Sequence, residues 1–197
     1  MKIIYKIIII IIFIFSSCTP IAFMVYGVKK PKPVCIKYIS KKADKYKLTH
    51  FKHYVFENKF SFLDFFQNTQ KIGLGTSVNQ VLIFNKQGFL YLPKDTINCS
   101  SQIINYIAQY KNRSIIIDSL IFDSIFPHSF IQMNENEKKF VFPTKTNKDL
   151  FVLTWASFSG RLNKDKTKYW ADSIAEIIES NEINAVFLNL DIQENWK

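Results

Sequence analysis

Few side chains in this sequence can do chemistry, and their spacing narrows what that chemistry could be. Cys35 and Cys99 are two of only three cysteines, and neither belongs to a Cys-x-x-Cys pair. A local dithiol couple is therefore not expected from them. Joined to each other they would close a long loop, worth about 4 kcal/mol of chain entropy. Left apart they are two isolated thiols. His50 and His53 are three residues apart, close enough for both to approach one metal ion, but no third ligand of suitable spacing accompanies them. His128 follows Pro127 far along the chain. Neither a metal nor a cofactor is expected. Ser159 would need a neighbouring base to act as an acyl nucleophile, and nothing local supplies one. Its surroundings suit the N-cap of a helix instead. Gly73-Leu74-Gly75 lacks the lysine and the preceding strand of a phosphate loop, and reads as a turn. Asn98-Cys99-Ser100 and Asn112-Arg113-Ser114 fit the glycosylation sequon, which matters only on a eukaryotic secretory route.

The elements that must position these residues follow from composition and pattern. The chain has 197 residues, 48% hydrophobic and 16% aromatic, with 5 Gly and 6 Pro. That is enough apolar surface for one ordered domain, and it excludes disordered and collagen-like chains. Ile36, Ile39 and Ala43 recur at helical spacing among lysines within residues 34–47. Residues 51–66 are dense in Phe and must be buried, as strand or helix. Val81–Phe84 and Phe89–Leu92 flank Asn85-Lys86-Gln87-Gly88, a hairpin signature. A helix is expected over 97–110, capped by Asn98 or Ser100. Residues 114–126 are a buried strand or helix, 134–139 a polar loop, and 140–142 a short strand ended by Pro143. Leu150–Trp155 reads as a central strand, apolar except for Thr154. A helix over 163–180 carries Trp170, Ile174, Ile177 and Ile178 on one face, and Ala185–Leu190 is a second apolar strand. Strand, helix and strand make a βαβ unit with parallel strands.

The N-terminus carries an address. Lys2 and Lys6 precede an apolar run from Ile7 to Phe15, followed by Ser16-Ser17-Cys18. A basic start, a short apolar stretch and small residues before a cut site are the parts of an export signal. The segment resembles the lipobox of bacterial lipoproteins, in which a peptidase cuts before a diacylated cysteine. That resemblance implies lipidation at Cys18, although Phe15 stands where an aliphatic residue is usual. The uncharged stretch Ile7–Val28 also matches the ~20 residues of a membrane span, so an uncleaved anchor is the main alternative, with ordinary secretion a third. All three place the folded part outside the cytoplasm. The expected division is a signal over 1–17, a tether over 18–33 and one α/β domain over 34–197. The formal charge of +10 comes from lysines spread along the chain and interleaved with acids. A lysine-rich surface near an anionic membrane accounts for it, and no nucleic-acid partner is expected.

The C-terminal segment 148–197 carries a family likeness. Phe151-Val-Leu-Thr-Trp-Ala-Ser-Phe-Ser-Gly-Arg-Leu162 resembles the active-site segment of thioredoxins, a strand ending in Trp-Ala-x-Trp-Cys-Gly-Pro-Cys that runs into a helix. Trp155, Ala156 and Gly160 match, and Phe158 keeps an aromatic. Ala185–Asp191 resembles the family's next strand, which also leads into an Asp-containing segment. The resemblance implies a thioredoxin-like unit whose active site is degenerate. Ser159 stands at the nucleophile position, Arg161 replaces the proline and Leu162 the resolving cysteine. A serine hydroxyl has no accessible anion near neutral pH, and leucine has no sulfur, so the dithiol mechanism is missing there. The chain also stops where a thioredoxin continues into a cis-proline hairpin and a last helix. A hairpin and helix lie earlier, at 81–110, and either fill those places in rearranged order or belong to a divergent α/β part.

These readings lead to one expectation and one rival. The expected protein is a membrane-anchored, extracytoplasmic, non-catalytic one that holds a protein or envelope ligand. The rival is an envelope enzyme, using thiol chemistry at Cys35 or Cys99 or another reaction. Trp196 is expected either to dock on the domain or to anchor a partner.

Overall fold

The computed structural model describes residues 27–71, 78–92, 101–112, 116–126, 130–133, 148–178 and 183–196. The expected leader, Cys18, Cys99 with the expected caps Asn98 and Ser100, and the loop and strand expected over 134–142 lie outside them. Among the described residues no helix is long and apolar enough to cross a membrane.

The chain runs through α1 (Ile36–Tyr46), β1 (Lys52–Phe56), α2 (Lys59–Lys71), β2 (Val81–Phe84), β3 (Phe89–Leu92), α3 (Ser101–Lys111) and β4 (Ile116–Ile121). It continues through α4 (Phe122–Ile125), β5 (Phe130–Gln132), β6 (Asp149–Trp155), α5 (Lys168–Ile178) and β7 (Ile183–Asn189). The strands form one mixed α/β sheet in the order β4-β3-β2-β6-β7-β1-β5. β1, β7 and β6 are mutually parallel neighbours, while β2 runs antiparallel to β6 and to β3.

Local chemistry explains where elements start and stop. The aromatic stretch 51–66 is both strand and helix, divided at Asn58. The Asn58 carboxamide oxygen accepts from the Ser61 amide at 2.9 Å and from its hydroxyl at 3.0 Å, capping α2. In the hairpin, the Asn85 side chain accepts from the Gln87 and Phe89 amides, both at 2.9 Å. Gly88 takes the positive φ of 88° that the turn requires. Residues 114–126, open between strand and helix, also divide, into β4 and α4. β5 is three residues long and was not expected.

Strand alternation divides the core into two layers. Phe151, Leu153 and Trp155 face a cluster with Ile39 and Ala43 of α1, Ile103 and Ile107 of α3, and Trp170 and Ile174 of α5. Leu150 and Val152 face the other side, against Phe65 of α2, Phe122 and Ile125 of α4, and Phe126. The second layer is aromatic: the Phe65 and Phe126 rings stack 5.2 Å apart. In the first, fully buried Phe187 packs against Phe51 at 5.3 Å and His53 at 4.8 Å.

Phe187→Ala opens a hole in the central layer. It should destabilise the domain by about 3–5 kcal/mol, seen as a lowered urea midpoint with an unchanged m-value. A loss below ~1 kcal/mol would contradict the packing described.

Candidate functional site

The three parallel strands end at one edge of the sheet, the edge at which open α/β sheets bind ligands. Trp155 and Ala156 close β6 with no exposure. Ser157–Ser159 then form a single 3-10 turn. Gly160 follows at φ 59° and ψ −129°, a conformation that a side chain would strain. The helix begins at Arg161 and passes through a π-helical stretch, Asn163–Thr167, before α5.

Ser159 is therefore not the N-cap; Gly160 precedes the first helical residue. Ser159 is buried at 3% exposure, and its amide donates to the Ala156 carbonyl at 3.0 Å. Phe158 and Leu162 are half-buried and Arg161 is exposed. Asn163 secures the corner: its amide group donates to the Ala156 carbonyl at 2.8 Å, and its carbonyl accepts from Asn79 at 3.0 Å. Asn79 also donates to the Thr167 hydroxyl at 2.6 Å, so the bend leading into β2 is fastened to the π-helical stretch. Thr154, the one polar residue in β6 beyond Asp149 at its start, has the same purpose. Its hydroxyl donates to the Val78 carbonyl at 2.7 Å and accepts from the Gln80 amide at 2.8 Å.

The central polar contact joins the ends of β6 and β7. Asp191, 1% exposed, accepts from the Ser157 amide at 2.7 Å, the Ser157 hydroxyl at 2.8 Å and the Asn189 side chain at 2.8 Å. Burial pushes its carboxyl above the ordinary carboxylate range, against the pull of those donors. In the sequence Asp191 marks only the end of a family-like segment. Its partner lies 34 residues away, and no periodic signal pointed to the pair.

The chain's own N-terminal segment crosses this edge. The Lys29 amide donates to the Phe158 carbonyl at 2.8 Å. Val34 forms a parallel bridge with Gln193, donating to Ile192 at 2.9 Å and accepting from Glu194 at 3.2 Å. α1 then packs against the 157–159 turn. Cys35, at the start of α1, carries a free and exposed thiol. Trp196 docks rather than projects, half-buried with its ring 5.3 Å from Phe62.

His50 and His53 diverge. His50 Nε2 meets Asp172 of α5 at 2.7 Å, whereas His53 Nε2 meets the Leu48 carbonyl at 2.6 Å. The His53 ring lies between Phe187 and Trp155, where burial lowers its pKa. Among the described residues no group of three or more His, Cys, Asp or Glu side chains is placed to hold a metal. The arrangement at the strand ends is thus a hydrogen-bonded polar seal, in which the Ser157 hydroxyl donates to a buried carboxylate that also accepts from the Ser157 amide and the Asn189 side chain.

Comparison with protein-family models, with curated proteins and with solved structures gives no match.

Because the folded-state pKa of Asp191 is raised, its contribution to stability is fully present below the ordinary value of 3.8 and is lost as pH rises through the raised value. Asp191→Asn removes that titration. Urea midpoints of the two chains should therefore draw together, or cross in favour of the variant, as pH rises from 3.8 toward neutrality. A wild-type advantage that grows with pH would contradict the assignment.

Proposed function

We propose that this protein is a membrane-anchored, extracytoplasmic, non-catalytic protein with a thioredoxin-like domain, holding a protein or envelope ligand rather than transforming one. The observation that carries the proposal is the strand-to-helix corner. The positions of a thioredoxin's two sulfurs hold Ser159, which is buried, and Leu162, and the chain's own residues 29–46 pack across the same edge.

The thioredoxin-like reading draws support from several features together. β6 and β7 are parallel neighbours, a turn and helix connect them, and Asp191 at the end of the second strand is bonded to that turn. The β2–β3 hairpin lies along β6 on the side away from β7. α3, which follows it, packs in the same layer as α5. The hairpin and helix that a thioredoxin adds last would then be supplied from earlier in the chain. No proline precedes β2; Asn79 and Gln80 stand there.

One observation favours the rival, thiol chemistry through Cys35: its thiol is exposed, and the helix it begins packs against the corner. Mass-spectrometric counting of alkylated thiols in the full chain separates the two. The Cys35 thiol should stay in one oxidation state when a disulfide substrate is added. Reversible, substrate-coupled cycling of Cys35 would overturn the non-catalytic reading. Labelling with a palmitate analogue tests the anchor. Wild type should take the label and Cys18→Ala should lose it; label persisting in the variant would contradict lipidation at Cys18.

A further inference from the structure

We propose that the sheet edge at which β1, β6 and β7 end rests on the lipid bilayer, with Phe60 and Leu63 of α2 entering the headgroup region. The proposal builds on the membrane-anchored reading above and assigns the face that meets the membrane. Phe60 is 69% exposed and Leu63 41%, and their spacing puts them on one side of α2. The buried side of that helix carries Ser61, Phe65 and Thr69. Single exposed apolar residues need no explanation; the location of these two does.

α2 starts directly after β1 ends, so its first turn lies at this edge. The chain arrives from its leader at the same edge. The Lys29 amide is bonded to Phe158, and Phe158 packs on the same apolar cluster as Phe62 and Phe66 of α2 and as Trp196. Immediately upstream stands the uncharged run Ile7–Val28. A span ending at Val28 leaves no slack between bilayer and domain. A lipid on Cys18 leaves a tether of at most about 40 Å at full stretch. Either anchor holds this edge near the membrane, and two apolar side chains at interfacial depth add to the hold. Exposed Lys29, Lys30, Lys32 and Lys59 suit anionic headgroups, in excess of the exposed Glu57 and Glu194 nearby.

Tyr169 gives an internal control. It is 56% exposed but sits on α5, in the layer on the other side of the sheet. The test uses the full chain in phosphatidylcholine–phosphatidylglycerol vesicles, with and without bromine on the acyl chains. Phe60→Trp and Tyr169→Trp are compared with wild type, whose own tryptophans set the background. The emission added by Phe60→Trp should be mostly lost in brominated vesicles, and that added by Tyr169→Trp retained. Both substitutions are at exposed positions, and unchanged circular dichroism verifies folding. If the chain floats with the vesicles but the two added emissions respond alike, the docking face is wrong while the anchor stands. If wild type does not float with the vesicles, the anchor and the docking face fall together.

Discussion

The parallel pairing of β6 with β7 is the constraint on which the rest of the structure depends. Seven residue pairs run from Asp149–Ile183 to Trp155–Asn189. Leu150 to Leu153, Trp155, Phe187 and Leu188 on these strands have no exposure. A parallel pair apolar on both faces must be covered on both. α1, α3 and α5 cover one side, and α2, α4 and the phenylalanine layer cover the other. The remaining strands extend the sheet outward from this pair, β2 along β6 and β1 along β7.

The same pair brings together backbone ends that need hydrogen-bond partners. Asp191 fastens the end of β7 to the turn after β6, Gln193 donates to the Phe56 carbonyl at the end of β1, and Asn163 holds the Ala156 carbonyl. These side chains are buried and engaged with the chain itself, and they close the ends of the parallel strands. Residues 29–34 cross the same edge, bonded to Phe158, Ile192 and Glu194, before α1 turns onto one side of the sheet. The proposed anchor would reach the domain at this sealed edge, so the proposed function and the proposed membrane face depend on each other.

Much of the framework was legible because it rests on local chemistry. Asn85 and Gly88 marked the hairpin, the spacing of Ile39 and Ala43 marked α1, and two apolar runs with an amphipathic segment between them marked the βαβ unit. Ambiguity arose where burial was uniform. In residues 51–66 phenylalanines occur in strand and helix alike, and only the side chain of Asn58 decides the boundary. β5 escaped notice because three residues carry no usable period. The site was less legible than the fold. Ser159 resembled a cap by type, but the backbone of Gly160 delays the helix by one residue and leaves the serine inside. The His50–His53 spacing suggested a shared ligand, yet the imidazoles turn to Asp172 and to the Leu48 carbonyl. Ser157 with Asp191, and Asn79 with Asn163, are long-range pairs that a single sequence does not announce.

The central claim is chemical silence at the corner between β6 and the helix. Turbidimetric reduction of insulin by the full chain, with dithiothreitol as electron source, measures it directly. The account predicts a rate equal to that of dithiothreitol alone. A rate clearly above that background, in a chain with serine and leucine at positions 159 and 162, would contradict it.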